Sequence, residues 1–262
     1  MADFLPLSQT SRNWTTMTIN GSGDVYCCVY GGNIYMQTAG AGNFISLSQT
    51  VRNWRSMAYN GSDVYCAVGG SSINRFIFKQ TAGAGDFIAI SALSKDWQGM
   101  AASPVTGDVY AAAKNGDIYM QTAGAGDFNA LGGTSRDWRC GVGTPGGDIY
   151  FPVSNGDIYK RTGGIGAFVA LSQTPRLWQA MAVNSAGDVF ACVYNGDIYK
   201  QTGGTGDFVA LGQSTENWFG ITGLDNNVYA CVYGGDIYKS TTESTGSIIP
   251  IIQNYIRMRK VA

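Results

Sequence analysis

The chain holds six tryptophans, Trp14, Trp54, Trp97, Trp138, Trp178 and Trp218, separated by 40, 43, 41, 40 and 40 residues. Every tryptophan in the chain therefore occupies one position of a repeat. A period of about 40–45 residues built from four short extended runs is the pattern of a β-propeller blade. The repeat around Trp178 shows the four runs most plainly: Trp178–Val183, Asp188–Tyr194, Asp197–Thr202 and Phe208–Leu211. In the second run Val189, Ala191 and Val193 alternate with Phe190, Cys192 and Tyr194, so both faces are apolar. A strand of that kind belongs to a sheet covered on both sides. Asn195-Gly196 is a strong hairpin-turn signal, and Gly203–Gly206 supplies a second turn. Parallel pairing needs crossovers of about a dozen residues or more, which do not fit, so the repeats read as antiparallel meanders.

The repeat is split between the two ends of the chain. Phe4–Leu7 matches a fourth run, whereas the last repeat stops after a third run, Ile237–Lys239. Joining the two closes a ring without an incomplete unit. An open solenoid would leave edges and need capping repeats, and none is visible. The expectation is an all-β, six-bladed β-propeller of four-stranded antiparallel blades over residues 1–241, closed by the N-terminal strand, followed by a linker and docking segment over 242–262. Two repeats depart from the pattern. Gly69–Arg75 lengthens one turn, and Pro152 removes a ladder donor, which predicts a locally irregular fourth unit.

Composition narrows the function. Charged residues make up 13% of the chain and the net charge is −1, so no broad field favours nucleic acid. No apolar run is long enough for a membrane-spanning helix. No signal peptide is visible at Met1, so synthesis in the cytoplasm is expected. Five of the six cysteines (Cys27, Cys28, Cys66, Cys192, Cys231) fall in the second run, and Cys140 follows a tryptophan. They are expected to be free and buried, because matching positions of neighbouring repeats should lie beyond the roughly 7 Å that a disulfide tolerates between Cα atoms. Histidine is absent, which removes Ser-His and Cys-His pairs and weakens any zinc site. Glu216 and Glu243 are the two glutamates, and Asp117, Asp157 and Asp197 recur one per turn, too sparse for a calcium cage. These features predict no enzyme activity, no metal and no cofactor.

The joint ahead of each tryptophan carries the most suggestive chemistry. Arg12 precedes Trp14, Arg52 precedes Trp54, Lys95 precedes Trp97, Arg136 precedes Trp138 and Arg176 precedes Trp178, whereas Glu216 precedes Trp218. An indole wall beside a guanidinium fork suits sugar hydroxyls or a carboxylate. These eleven positions, Trp218 included and Glu216 excepted, are the candidate ligand site. The competing reading is that the indoles are packing and the cations brace the joint.

At Val228–Lys239 the run Val-Tyr-Ala-Cys-Val, followed by Gly-Asp-Ile-Tyr-Lys, resembles tectonin and tachylectin-type propeller repeats, as does the repeated tryptophan. Ile198–Gly204 resembles a degenerate Asp-box turn of sialidase-type propellers, without their arginine cluster. The run Gln-Thr-Gly-Gly-Thr-Gly-Asp-Phe-Val-Ala-Leu is similar to propeller repeats of tailed-phage virion proteins. The Gly-His and Trp-Asp pairs of WD40 repeats are absent. The resemblance implies a lectin that binds cell-surface carbohydrate between blades, or a structural or adaptor propeller associated with a virion tail or appendage. For the C-terminal segment, Ile248, Ile249, Ile251, Ile252 and Ile256, with Arg257, Arg259 and Lys260 at the rim, are expected to dock on a protein partner or a second copy.

Overall fold

Alternating apolar residues and turn-forming pairs give each repeat a meander. In the fifth unit Arg176–Val183 pairs antiparallel with Val189–Gly196, that strand with Ile198–Gln201, and that one with Val209–Ala210. The first three units repeat the same order of pairings. The protein is seen in a computed structural model that describes residues 3–70, 75–91 and 93–241. It is all-β, its named strands pair antiparallel, Cys140 makes one isolated parallel bridge to Ala180, and single three-residue helical turns such as Thr202–Gly204 follow the third strands. The outer strands are two residues long in five units, which leaves little open edge. The expected docking segment, 247–262, lies outside the described residues.

The fourth unit is irregular, as Pro152 predicts. Its first strand is reduced to Val142–Gly143, and its second, Ile149–Pro152, ends at the proline. Trp138 is held there by an isolated bridge to Val153, and Arg139 N–H donates to the Pro152 carbonyl at 2.9 Å.

Two strands far apart in the sequence meet. Phe4–Pro6 pairs antiparallel with Ile237–Thr241, Phe4 facing Ser240. Phe4 N–H donates to Gln213 Oε1 at 3.0 Å, Leu7 N–H to the Ile237 carbonyl at 2.8 Å, and Gln9 N–H to Asp236 Oδ1 at 2.7 Å. The first strand of each unit contacts the first strand of the next, and that of the last unit contacts Arg12–Ile19. The first strands thus contact one another in chain order, and the series returns from Glu216–Leu224 to Arg12–Ile19.

Neighbouring units are joined by repeated polar clasps. Gln9, Gln49, Gln173 and Gln213 each accept from the backbone N–H of the next unit's outer phenylalanine at 3.0 Å. The Tyr26, Tyr65, Tyr110 and Tyr150 hydroxyls donate to glycine carbonyls in the next unit's turn, and Tyr229 donates to Gly40. The aspartates singled out as turn carboxylates are structural. Asp197 Oδ1 accepts from Ile198 and Gln213, and Oδ2 from Gly212, tying one turn to the following joint. Asp117 and Asp157 do the same.

All six cysteines are free and buried. The Cys28 and Cys66 sulfurs, in neighbouring units, are 3.4 Å apart. They stand at different positions of the repeat, since Cys66 matches Cys27 and Cys28 matches Ala67. Burial and the neighbouring thiol raise the Cys28 pKa well above its ordinary value.

Two outcomes test this architecture. Deleting residues 1–8 removes buried Phe4, worth about 1.5–3 kcal/mol, together with hydrogen bonds worth about 1 kcal/mol each. The melting temperature should fall by about 10–20 °C in a single transition, measured by calorimetry. A truncated chain that melts with the full-length chain would contradict ring closure. The second test uses the Asp188 carboxyl. Burial pushes its pKa up, but Lys200 at 2.6 Å, the Gly203 N–H and Asn184 outweigh burial and hold it below the ordinary carboxylate value. A depressed folded pKa gives stability that is present above the unfolded pKa and is lost as pH falls through the folded one. Asp188→Asn should therefore melt below wild type at neutral pH, and the gap should close below about pH 3. A gap that persists unchanged in acid would show that the carboxylate charge is not what stabilises the turn.

Candidate functional site

The tryptophans and cations of the joints lie together, but inside each unit. All six indoles are at most 3% exposed. Trp178 packs edge-on against Tyr199 at 5.2 Å and tilted against Phe208 at 6.2 Å, and each of the other five pairs with its own third-strand and outer-strand rings. The preceding cation caps the third-strand ring. Arg12 lies 4.7 Å from Tyr35, Arg52 4.7 Å from Phe78, Lys95 5.1 Å from Tyr119, Arg136 4.5 Å from Tyr159 and Arg176 4.6 Å from Tyr199. These side chains are half-buried. The cation, the ring and the indole form one stack per unit, and the expected indole wall is closed to a sugar ring in this conformation. The indoles bury large apolar area where the sheets meet, and that packing is what the spacing of the tryptophans reports.

What the tryptophans position is the axis. In each regular unit the register between first and second strands shifts just after the tryptophan, as between Trp14 and Thr16. Such a bulge re-aims the side chain it carries. The residue one past the tryptophan, Thr15, Arg55, Gln98, Gln179 or Phe219, sits at this bulge, and Arg139 holds the same sequence position in the irregular fourth unit. The next residue is small: Thr16, Ser56, Gly99, Cys140, Ala180 or Gly220. This layer is the throat, where backbones nearly touch. A Cβ added to Gly220 would lie 2.8 Å from the Thr16 Cα, and one on Gly99 would meet the Arg139 carbonyl oxygen. Cys140 fills the centre, its sulfur 3.1 Å from Ser56 Oγ and 3.9 Å from Thr16 Oγ1, and burial raises its pKa.

On one side of this plug the axis opens into an apolar cup of about 280 Å³. Met17, Met57, Met181 and Ile221, each three residues past a tryptophan, line it; the fourth unit has Gly141 there, which leaves room. Ala102, Val142 and Tyr59 extend the wall, and Asn20, Asn184 and Asp225 form part of the rim. Asp225 is the one charged residue of this lining among the described residues. The rim is firm. Asn20 Oδ1 accepts from Ser22 and Asp24, and Asn184 Oδ1 accepts from Asp188. Sequence reasoning missed these methionines. Their signal was present as a methionine at a fixed offset from the tryptophan in four of six repeats.

The other side of the plug is polar and aromatic. Arg139 donates to Gln98 Oε1 at 3.1 Å and to Asp137 Oδ2 at 2.9 Å, and Gln98 Nε2 donates to Asp96 at 2.7 Å. The Arg55 guanidinium covers Tyr30 at 4.5 Å. Phe219 lies between Tyr194 and Tyr233, with ring centroids at 6.1 and 5.4 Å. Among the described residues no helix is long and apolar enough to cross a membrane.

No protein-family model matches the chain, and no curated protein does. Solved structures do. A gluconolactonase-like protein aligns with a TM-score of 0.71 at 11% identity, over 92% of this chain and 92% of its own. Virginiamycin B lyase from Staphylococcus aureus aligns at 0.64 and 10% identity, over 92% of this chain and 99% of its own. YCF48, solved bound to a D1 peptide, aligns at 0.64 and 11% identity, over 92% of this chain and 95% of its own. At such identities the likeness concerns the fold, and these neighbours are β-propellers. The chain has a propeller-like, all-β architecture.

Proposed function

We propose that the chain is a non-enzymatic binding module, a six-bladed propeller of four-stranded blades that seats an apolar side chain of a protein partner in the axial cup. The observation that carries this reading is the thioether lining. Three flexible, polarisable methionine side chains around a preformed apolar well adapt to an inserted group, and such surfaces recur where one site meets varied partners. The rim adds one carboxylate, Asp225, and hydrogen-bonding amides, which suit the backbone and a basic neighbour of the inserted residue. A peptide-bound propeller of similar shape, YCF48, is consistent with this use of the fold. Service as an adaptor in a larger assembly follows naturally from it. Carbohydrate recognition at the inter-blade joints has less support, because the burial of the indoles removes its stacking wall.

The test is a titration of full-length protein labelled at methionine methyls with short peptides carrying a central Leu, Phe or Trp. The Met17, Met57 and Met181 methyl signals should shift, and those of Met36 and Met120 should not. Met57→Gln combined with Met181→Gln should weaken binding at least about tenfold, the equivalent of about 1.4 kcal/mol. No shift with any peptide, or equal shifts at all methionines, would overturn the assignment.

A further inference from the structure

The last described strand ends beside the methionine cup. Leu224, the end of the sixth unit's first strand, lines the cup. It pairs with Asn227, and Asn227 pairs with Thr241. Neighbouring strands stand about 4.8 Å apart, so the Thr241 backbone lies about 10 Å from the rim, at the same end of the unit. The outer-strand place beside Ile237–Thr241 is already filled by Phe4–Pro6, so the residues after Thr241 cannot take it. In sequence those residues are a polar stretch, 242–247, then Ile248, Ile249, Ile251, Ile252 and Ile256, then Arg257, Arg259 and Lys260. Six residues span up to about 20 Å, enough to carry the isoleucines from Thr241 to the cup. The cup end is also acidic. The turns between first and second strands carry Asp24, Asp63, Asp108, Asp148, Asp188 and Asp225. Lys79, Lys160 and Lys200 pair with Asp63, Asp148 and Asp188. Asp86, Asp127 and Asp207 stand in the turns ahead of the outer strands, and Asp3 stands ahead of Phe4. Against these ten carboxylates the third strands add two more cations at this end, Arg161 and Lys239, which leaves five negative charges in excess.

We propose that the cup is occupied by the chain's own segment 248–256, with its isoleucines among Met17, Met57 and Met181, and with Arg257, Arg259 and Lys260 over the acidic rim. The inference rests on the reading of the cup as a seat for apolar side chains, and it adds regulation: a partner enters by displacing the segment. Three observations select this occupant. At about 280 Å³ the cup is at the small end of ligand pockets, a size for side chains, and its flexible thioethers adapt to branched ones. The excess of carboxylates at this end, with Asp225 exposed on the rim, complements three cations that follow the isoleucines directly. A short linker that starts about 10 Å from the rim holds the segment at an effective concentration of about the millimolar range, above that of a second copy in ordinary solution.

The test uses the full chain labelled at methionine methyls. Ile251→Ser combined with Ile252→Ser should shift the Met17, Met57 and Met181 signals and leave Met120 in place. Short peptides with a central Leu or Phe should then bind at least about fivefold more tightly than to wild type, because no segment has to leave first. A nitroxide on Asn254→Cys gives a second readout with every isoleucine intact, since the six native thiols are buried. It should broaden Met17, Met57 and Met181 and spare Met120. Nitroxide-bearing chains mixed with separate methyl-labelled chains should broaden none of them. Unmoved methyls in the double variant, no broadening in the nitroxide-bearing chain, or broadening in the mixture overturns self-occupancy. Peptide binding of equal strength in wild type and double variant also overturns it, and leaves the partner reading in place. Methyls that move in a double variant that binds no peptide support self-occupancy and remove the partner reading.

Discussion

The buried indole is the constraint on which the rest of the structure depends. One tryptophan per unit fills the space between the first strand and the third-strand and outer-strand rings, and a cation or, at Glu216, a carboxylate closes the stack. An indole that size cannot be accommodated without fixing the distance between strands, because protein interiors are close-packed. With the indole locked, the chain bulges immediately after it. Small residues then bring the first strands into contact at the throat. The two axial mouths are consequences of that order. The large residue sets the wall, the bulge turns polar side chains outward on one side, and the methionines face the axis on the other.

Much of this was legible from sequence. The tryptophan interval, the apolar alternation in Val189–Tyr194 and the divided repeat at Phe4 and Ile237 carried the antiparallel units and the seam. Pro152 announced the irregular unit. The site was not legible in the same way. The feature that repeats most faithfully, a tryptophan with a cation ahead of it in five of the six repeats, is packed inside each unit. The residues at the mouths vary from unit to unit, as Arg55, Gln98, Arg139, Gln179 and Phe219 do, because they face the axis and need not satisfy the sheet interface. Repetition marked what holds the units together, and the departures from it marked where they differ in chemistry. The Cys28–Cys66 contact was missed for another reason. It joins positions that do not match in the repeat, and a comparison of matching positions does not reach it.

One departure shows how closely the interfaces are matched. Five units place a tyrosine in the second strand whose hydroxyl reaches a glycine carbonyl in the neighbouring turn. The fifth unit has Phe190 instead. Its neighbour is the unit divided by the seam, where Ser240-Thr241 is followed in sequence by Thr242-Glu243 and not by the Ala-Gly or Gly-Gly pair of the other units. The missing hydroxyl and the missing glycine pair thus go together in the sequence.

The seam also has a bearing on synthesis. Phe4 finds its partner strand at Ser240, far along the sequence. At ribosomal rates of about 5–20 residues per second, the first strand waits roughly 10–50 s before the segment that covers it exists. During that interval the earlier units can fold one on another, each on its own local hairpins, while the ring stays open. The final closure brings together the most distant pair of strands and carries the largest loop-closure entropy. The nascent chain is therefore a growing arc with two unmated edges. Ile237–Thr241 completes the unit that Phe4–Pro6 began.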